Sequence, residues 1–203
     1  MKVIAEFVTS AAGAEGLPKD GLPELAMVGR SNVGKSSLIN ALVRKKLART
    51  SAAPGKTRLA NFYRVSAEPR PPFYLVDLPG FGYARAPRQA RGGLSSAEAR
   101  RHVAREEFDA LAAEYFGARL NDPRFRGVFV LVDSRPPGLD SDRSTWNWLD
   151  SHGVVRHVVA TKVDKLTRSE RQRHLGELER LYSGPVTPVS AETGEGLDEL
   201  WKK

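Results

Sequence analysis

Apolar positions along this chain follow two rhythms that take turns. Short, mainly apolar runs, Glu24–Val28, Gly127–Val132 and Val154–Ala160, read as buried strands. Between them, apolar residues recur three and four positions apart. Leu38, Ile39 and Leu42 share a face of 36–43, and Ala104, Phe108, Leu111 and Tyr115 line another helix. Trp146 and Leu149 mark a helix over 140–151; Leu175, Leu178 and Leu181 mark one over 169–181. Val3–Thr9 alternates weakly and reads as a first strand. Ser10–Pro23 is rich in Gly, Ala and Pro and reads as a loop. Leu59–Ser66 reads as a strand anchored by Phe62. Pro69–Pro72 then turns the chain into a short strand, Phe73–Val76, that stops at Asp77. Ser95 or Ser96, followed by Glu98, offers a helix cap. Pro185–Val189 gives a last strand and Leu197–Trp201 a last helix. Strands alternating with helices predict an α/β fold: a mostly parallel, mixed sheet of about six strands with helices on both faces. We expect one domain over 1–203 with its core at about 24–201. Ligands of such sheets bind at the carboxyl ends of strands, so the chemistry belongs in the loops that follow them.

Those loops carry motifs. Gly29-Arg30-Ser31-Asn32-Val33-Gly34-Lys35-Ser36 fits G-x-x-x-x-G-K-[ST], and it lies between a predicted strand and a predicted helix, the context this motif needs. Its glycines let backbone N–H groups wrap phosphate oxygens. Lys35 would reach the β- and γ-phosphates, and the Ser36 hydroxyl would face Mg²⁺. The helix opening at Ser36-Ser37 adds its own attraction for an anion. Asp77-Leu78-Pro79-Gly80 follows a strand and reads as D-x-x-G, whose Asp would hold Mg²⁺ through water and whose Gly N–H would meet a γ-phosphate; alone, it is also a common turn. Thr161-Lys162-Val163-Asp164 follows another strand. A carboxylate there accepts two parallel hydrogen bonds from guanine N1–H and the N2 amino group, donors that adenine lacks, and the Lys162 stem packs over the base. The alternative is a solvated Lys/Asp pair. Ser190-Ala191 ends the last strand, where a backbone N–H would meet the guanine O6.

Charge narrows the partners. The chain has 203 residues, a net charge of +8 and a pI near 9.9, which favours a polyanion. The surplus is concentrated. Val43–Arg58 holds Arg44, Lys45, Lys46, Arg49, Lys56 and Arg58 and no acid; Gly82–Arg105 holds six arginines against Glu98. Outside these two segments the net charge is negative. There is no cysteine, so disulfides, thiol catalysis, Cys-based zinc sites and prenyl or palmitoyl anchors are excluded. The N-terminus lacks the apolar stretch of a signal peptide, and no apolar run reaches membrane-spanning length.

With Thr57 in the Pro54-Gly55-Lys56-Thr57 loop, these motifs form an ordered series. The chain resembles the translation-factor-related P-loop GTPases, and within them the EngB (YihA/YsxC-type) family. The resemblance rests on residues 29–42, 54–57, Asn61-Phe62, 76–84, Val132-Asp133-Ser134-Arg135, 161–166 and Ser190-Ala191. It implies a small cytoplasmic bacterial GTPase that binds GTP and GDP with Mg²⁺. It also implies action in large-subunit ribosome assembly and so in cell division and septation. Ser36 and Thr57 would be Mg²⁺ ligands, Thr57 only in the GTP state, with Asp77 acting through water. Catalysis would rest on Lys35, Thr57 and, through a K⁺ ion, Asn32; Asn32 as a mere loop stabiliser stands equally open. We expect a monomer without membrane contact, meeting rRNA through the two basic segments that flank or overlap the switch loops. Two positions depart from other GTPases. Phe81 follows D-x-x-G where Ras-like proteins carry a water-orienting Gln, so slow intrinsic hydrolysis is expected. Thr161 stands where an Asn is common, which leaves Asp164 and the choice of guanine unchanged. The alternatives are a guanine-nucleotide-sensing RNA-binding module with negligible hydrolysis, a small-molecule kinase, which Thr161–Asp164 disfavours, and a membrane GTPase, which lacks any lipidation motif.

Overall fold

The computed structural model describes residues 2–49, 59–80 and 114–203. Their strands are β1 (Val3–Ala11), β2 (Glu24–Gly29), β3 (Ala60–Ala67), β4 (Arg70–Asp77), β5 (Phe125–Asp133), β6 (Arg156–Thr161) and β7 (Val186–Pro188). Helices are α1 (Lys35–Val43), α2 (helical over 114–119), α3 (Asp140–Ser151), α4 (Arg168–Leu181) and α5 (Leu197–Leu200). Among the described residues the strands make one seven-stranded sheet in the order β1-β3-β4-β2-β5-β6-β7. β4, β2, β5, β6 and β7 run parallel, while β3 is antiparallel to both β1 and β4. The α/β architecture is the expected one, with seven strands where about six were expected and β1 at one edge.

Strand alternation sorts the core into two layers. Ala26 and Val28 of β2, Val76 of β4, and Val128, Val130 and Val132 of β5 point to one face. There they meet Tyr115 and Phe116 of α2, Leu149 of α3 and Leu178 of α4. The residues between them, Met27, Leu75, Phe129 and Leu131, point to the other face and meet Leu38, Ile39 and Leu42 of α1 and Leu200 of α5. β2 therefore has sheet on both edges and helices on both faces, which is why its sequence reads as a continuous apolar run. α4 starts with a reciprocal cap: Thr167 Oγ1 accepts from the Glu170 amide while Glu170 accepts from the Thr167 amide. Among the described residues no helix is long and apolar enough to cross a membrane.

One buried ion pair ties α2 to the start of β2. Glu24 is 1% exposed, and its carboxylate accepts from Arg119 at 2.8 and 3.0 Å and from the Tyr115 hydroxyl at 3.0 Å. Arg119 also donates to the Pro18 carbonyl at 3.2 Å, so the guanidinium pins the loop before β2 as well. Losing one partner strands a buried charge. Arg119→Leu is therefore expected to cost about 3–5 kcal/mol in urea unfolding, and the double variant Glu24→Leu/Arg119→Leu to recover most of that loss. A double variant no more stable than Arg119→Leu would contradict this account of the pair.

Candidate functional site

The carboxyl ends of β2, β4, β5 and β6 meet at one edge of the sheet, where strand order departs to either side of β2. β2 ends at Gly29, residues 30–34 turn, and α1 starts at Lys35. Gly34 takes φ +111° as the helix N-cap, a conformation open to glycine at little cost, and no side chain caps the helix. The first amides of α1, those of Lys35, Ser36 and Ser37, have no partner inside the helix or elsewhere among the described residues, an arrangement suited to an anion. The loop carbonyls are by contrast engaged. Gly29 O accepts from Lys35 Nζ at 2.8 Å, Asn32 O from Lys162 Nζ at 2.5 Å, and Val33 O from Thr161 Oγ1 at 2.7 Å.

Lys35 is 8% exposed and faces Asp77, which ends β4 and is 4% exposed. Burial lowers the Lys35 ammonium from its usual range, with Asp77 opposing, and burial raises the Asp77 carboxyl, with Lys35 and Ser36 opposing. Ser36 Oγ lies 3.5 Å from Asp77 Oδ2, while the buried Oδ1 has no hydrogen-bond partner among the described residues. An orphaned carboxylate oxygen beside a serine hydroxyl and a buried ammonium suits a small hard cation with phosphate oxygens. Among the described residues no three His, Asp or Glu side chains gather as a metal site. Leu78 and Pro79 continue past β4, the Leu78 amide donating to Met27 O. Gly80 then lies against the loop: a Cβ there would fall 2.7 Å from the Ser31 amide nitrogen and 2.9 Å from Lys35 Nζ. Ser31 Oγ donates to Gly80 O at 3.1 Å.

Beside the loop lies a cleft of about 340 Å³, lined by Gly34, Ser37, Thr161, Lys162, Asp164 and Ala191 among others. Val163 is buried beneath it, and its amide donates to Val189 O. A hydrogen bond from Ser190, followed by Lys165 at 3.0 Å, holds the Asp164 carboxyl below the usual range, so it is ionised and an acceptor. Lys162, at φ +62°, spans from Asn32 O to Asp133 Oδ2 at 2.9 Å, and Asp133 in turn accepts from Arg135 at 2.7 Å. These hydrogen bonds outweigh burial and hold Asp133 at about 2. Thr161 is buried, and its hydroxyl reaches Val33 O and Val132 O. The departure from Asn at this position thus keeps a donor aimed at the loop.

The structure also supplies contacts that sequence reasoning did not name. Arg30, the second loop residue, donates to buried Asp142 of α3 at 3.1 Å, and burial pushes Asp142 up to about 6 against that pairing. Asp133 stood in the quoted motif without a role; Asp142 gave no signal beyond an acid in the first turn of a helix. Pro54, Gly55, Lys56, Thr57 and Phe81 lie outside the described residues, as do Arg58, the Gly82–Arg105 segment and the expected cap near Ser95. Of the first basic segment, Arg44, Lys45 and Lys46 follow the far end of α1, so the nine-residue helix sets them about 13 Å from Gly34.

A profile of the family described as 50S ribosome-binding GTPase matches residues 24–162. The probable GTP-binding protein EngB of Solibacter usitatus is 43% identical over 199 residues, covering 98% of this chain and 93% of that protein. Its counterpart in Pelotomaculum thermopropionicum is 42% identical over 201 residues, covering 97% and 91%. The crystal structure of Era in complex with MgGDPNP and nucleotides 1506–1542 of 16S ribosomal RNA shares the fold, with a TM-score of 0.64. That likeness, at 21% identity, covers 89% of this chain and 55% of Era.

The Lys35–Asp77 arrangement gives a stability test. A carboxyl raised on folding supports the fold below its unfolded pKa and loses that support as pH rises through its folded value. Asp77→Asn should therefore melt above the wild type at pH 8 in nucleotide-free protein, with the gap narrowing towards pH 4. A gap that is absent, or that widens on acidification, would contradict the assignment.

Proposed function

The chain belongs to the EngB group of the 50S ribosome-binding GTPase family, and from that premise we propose that it is a slow GTP-hydrolysing switch. It acts in assembly of the large ribosomal subunit and so in cell division, as a single cytoplasmic GTPase domain. The observation that carries the reading is the joining of two loops. The base-selecting loop, Thr161 to Asp164, is hydrogen-bonded to the carbonyls of the phosphate loop, so phosphates and base are addressed by one rigid unit.

In this reading residues 29–37 bind the phosphates through backbone amides and Lys35. Asp164 accepts from guanine N1–H and N2, the Lys162 stem covers the base, and Ser190-Ala191 meets O6. Ser36, Thr57 and, through water, Asp77 hold Mg²⁺, which when bound neutralises charge spread over the β- and γ-phosphates. Pro54–Thr57 and Leu78–Gly80 respond to the γ-phosphate. Asn32 completes a K⁺ site that supplies positive charge in place of an arginine finger, and Phe81 leaves the attacking water without an orienting side chain. rRNA is met through the basic segments, as a monomer and without a membrane. Phe81 also keeps alive a second reading, a nucleotide-sensing ribosome-binding module with negligible turnover.

Equilibrium titration separates these readings. GTP and GDP are expected to bind far more tightly than ATP. Asp164→Asn is expected to weaken GTP by about 100-fold, because two guanine donors lose a charged acceptor; equal affinity for GTP and ATP in the wild type would sink the base assignment. Single-turnover hydrolysis should run faster in KCl than in NaCl, and equal rates would remove the K⁺ role. Cosedimentation with large-subunit precursors should be stronger with a non-hydrolysable GTP analogue than with GDP.

A further inference from the structure

At the opposite end of the sheet, where β2, β4 and β5 begin, the structure holds a second cavity of about 310 Å³. Arg70 at its mouth opens β4 and Asp77 closes it, so the mouth lies about 23 Å from the nucleotide end, while Leu75 lines the inner wall. Its walls are aromatic. Phe73 and Trp201 stand nearly perpendicular with ring centroids 6.2 Å apart, and Phe129 lies beside them. Its mouth is cationic. Arg70, Arg126 and Lys203 line it, all exposed, and none is in an ion pair among the described residues. Glu24 reaches the wall, but its charge is already consumed by Arg119 and Tyr115. Leu42, another wall, sits in the last turn of α1, and the exposed Arg44, Lys45 and Lys46 follow it directly. The positive field therefore extends outward from the cavity rim.

We propose that this cavity binds an unpaired nucleotide of single-stranded RNA, with the base against Phe73 and Trp201 and flanking phosphates on Arg70, Arg126 and Lys203. The inference rests on the ribosomal reading above and gives it a second contact surface, remote from GTP. Sequence-tolerant RNA sites combine aromatic faces for the base with cations for the backbone, and this cavity offers both. Its volume suits a ligand of nucleotide size. A lipid surface would call for a protruding apolar face, whereas these rings are recessed.

The test uses the full chain saturated with GDP and a fluorescein-labelled 12-nucleotide oligouridylate, read by anisotropy. Arg70→Glu/Arg126→Glu is expected to weaken RNA binding at least about tenfold and to reduce the salt slope by about 1.4, with GDP affinity unchanged. 4-Thiouridine in the RNA should crosslink to peptides holding Phe73 or Trp201. Trp201→Ala should lose affinity that Trp201→Phe retains. RNA binding that ignores the double variant and crosslinks elsewhere overturns the cavity and leaves the ribosomal reading standing. No RNA binding by the wild type overturns both. Loss of binding to phosphatidylserine vesicles, with RNA binding intact, in the double variant overturns the choice of ligand.

Discussion

The carbonyls of the loop after β2 are bound from several directions, and the site depends on that constraint. Lys35 donates to Gly29 O, Lys162 to Asn32 O and Thr161 to Val33 O. With most of its carbonyls engaged and a helix opening uncapped at Gly34, the loop leads into a first turn of α1 whose amides have no partner inside the helix. An anion is the partner such a surface lacks. Burial of Lys35 and Asp77 a short distance away disfavours the charged form of each, and the two groups partly offset one another.

The same hydrogen bonds tie the segment proposed to select the base to the phosphate loop. Thr161 and Lys162 belong to the segment that presents Asp164, and both end on that loop. Asp133 fixes the Lys162 ammonium from behind, and Arg135 fixes Asp133. Arg30 extends the brace to α3 through Asp142. Elements up to 130 residues apart in sequence thus converge on the five residues between β2 and α1. Under the proposed reading, a carboxylate placed by such a frame needs little reordering to meet two guanine donors.

Much of this was legible in the sequence because its local signals agree. The switch from an apolar run at 24–28 to helical spacing at Leu38, Ile39 and Leu42, with glycines between, defines strand, loop and helix. α3 runs over Asp140–Ser151 as its spacing indicates. What was hidden is pairing between distant residues. Glu24 reads as an ordinary strand residue until Arg119, 95 positions later, is found against it. Asp142 and Arg30 lie 112 apart. The start of β6 was read too early because Val154 is apolar, but its amide closes α3 by donating to Leu149 O, and pairing of β6 begins at Arg156. Thr161 was recognised as a departure, yet its compensation lies in the loop carbonyl it touches, which spacing does not reveal.

The most direct measurement is the GTP affinity of Thr161→Val, which keeps shape and burial and removes the buried one of the two side-chain links between the loops, in the background of Lys162→Met, which removes the other. If phosphate loop and base loop act as one unit, affinity falls about tenfold while the melting transition stays cooperative. Affinity unchanged within twofold would show that the two loops bind independently and would contradict the account.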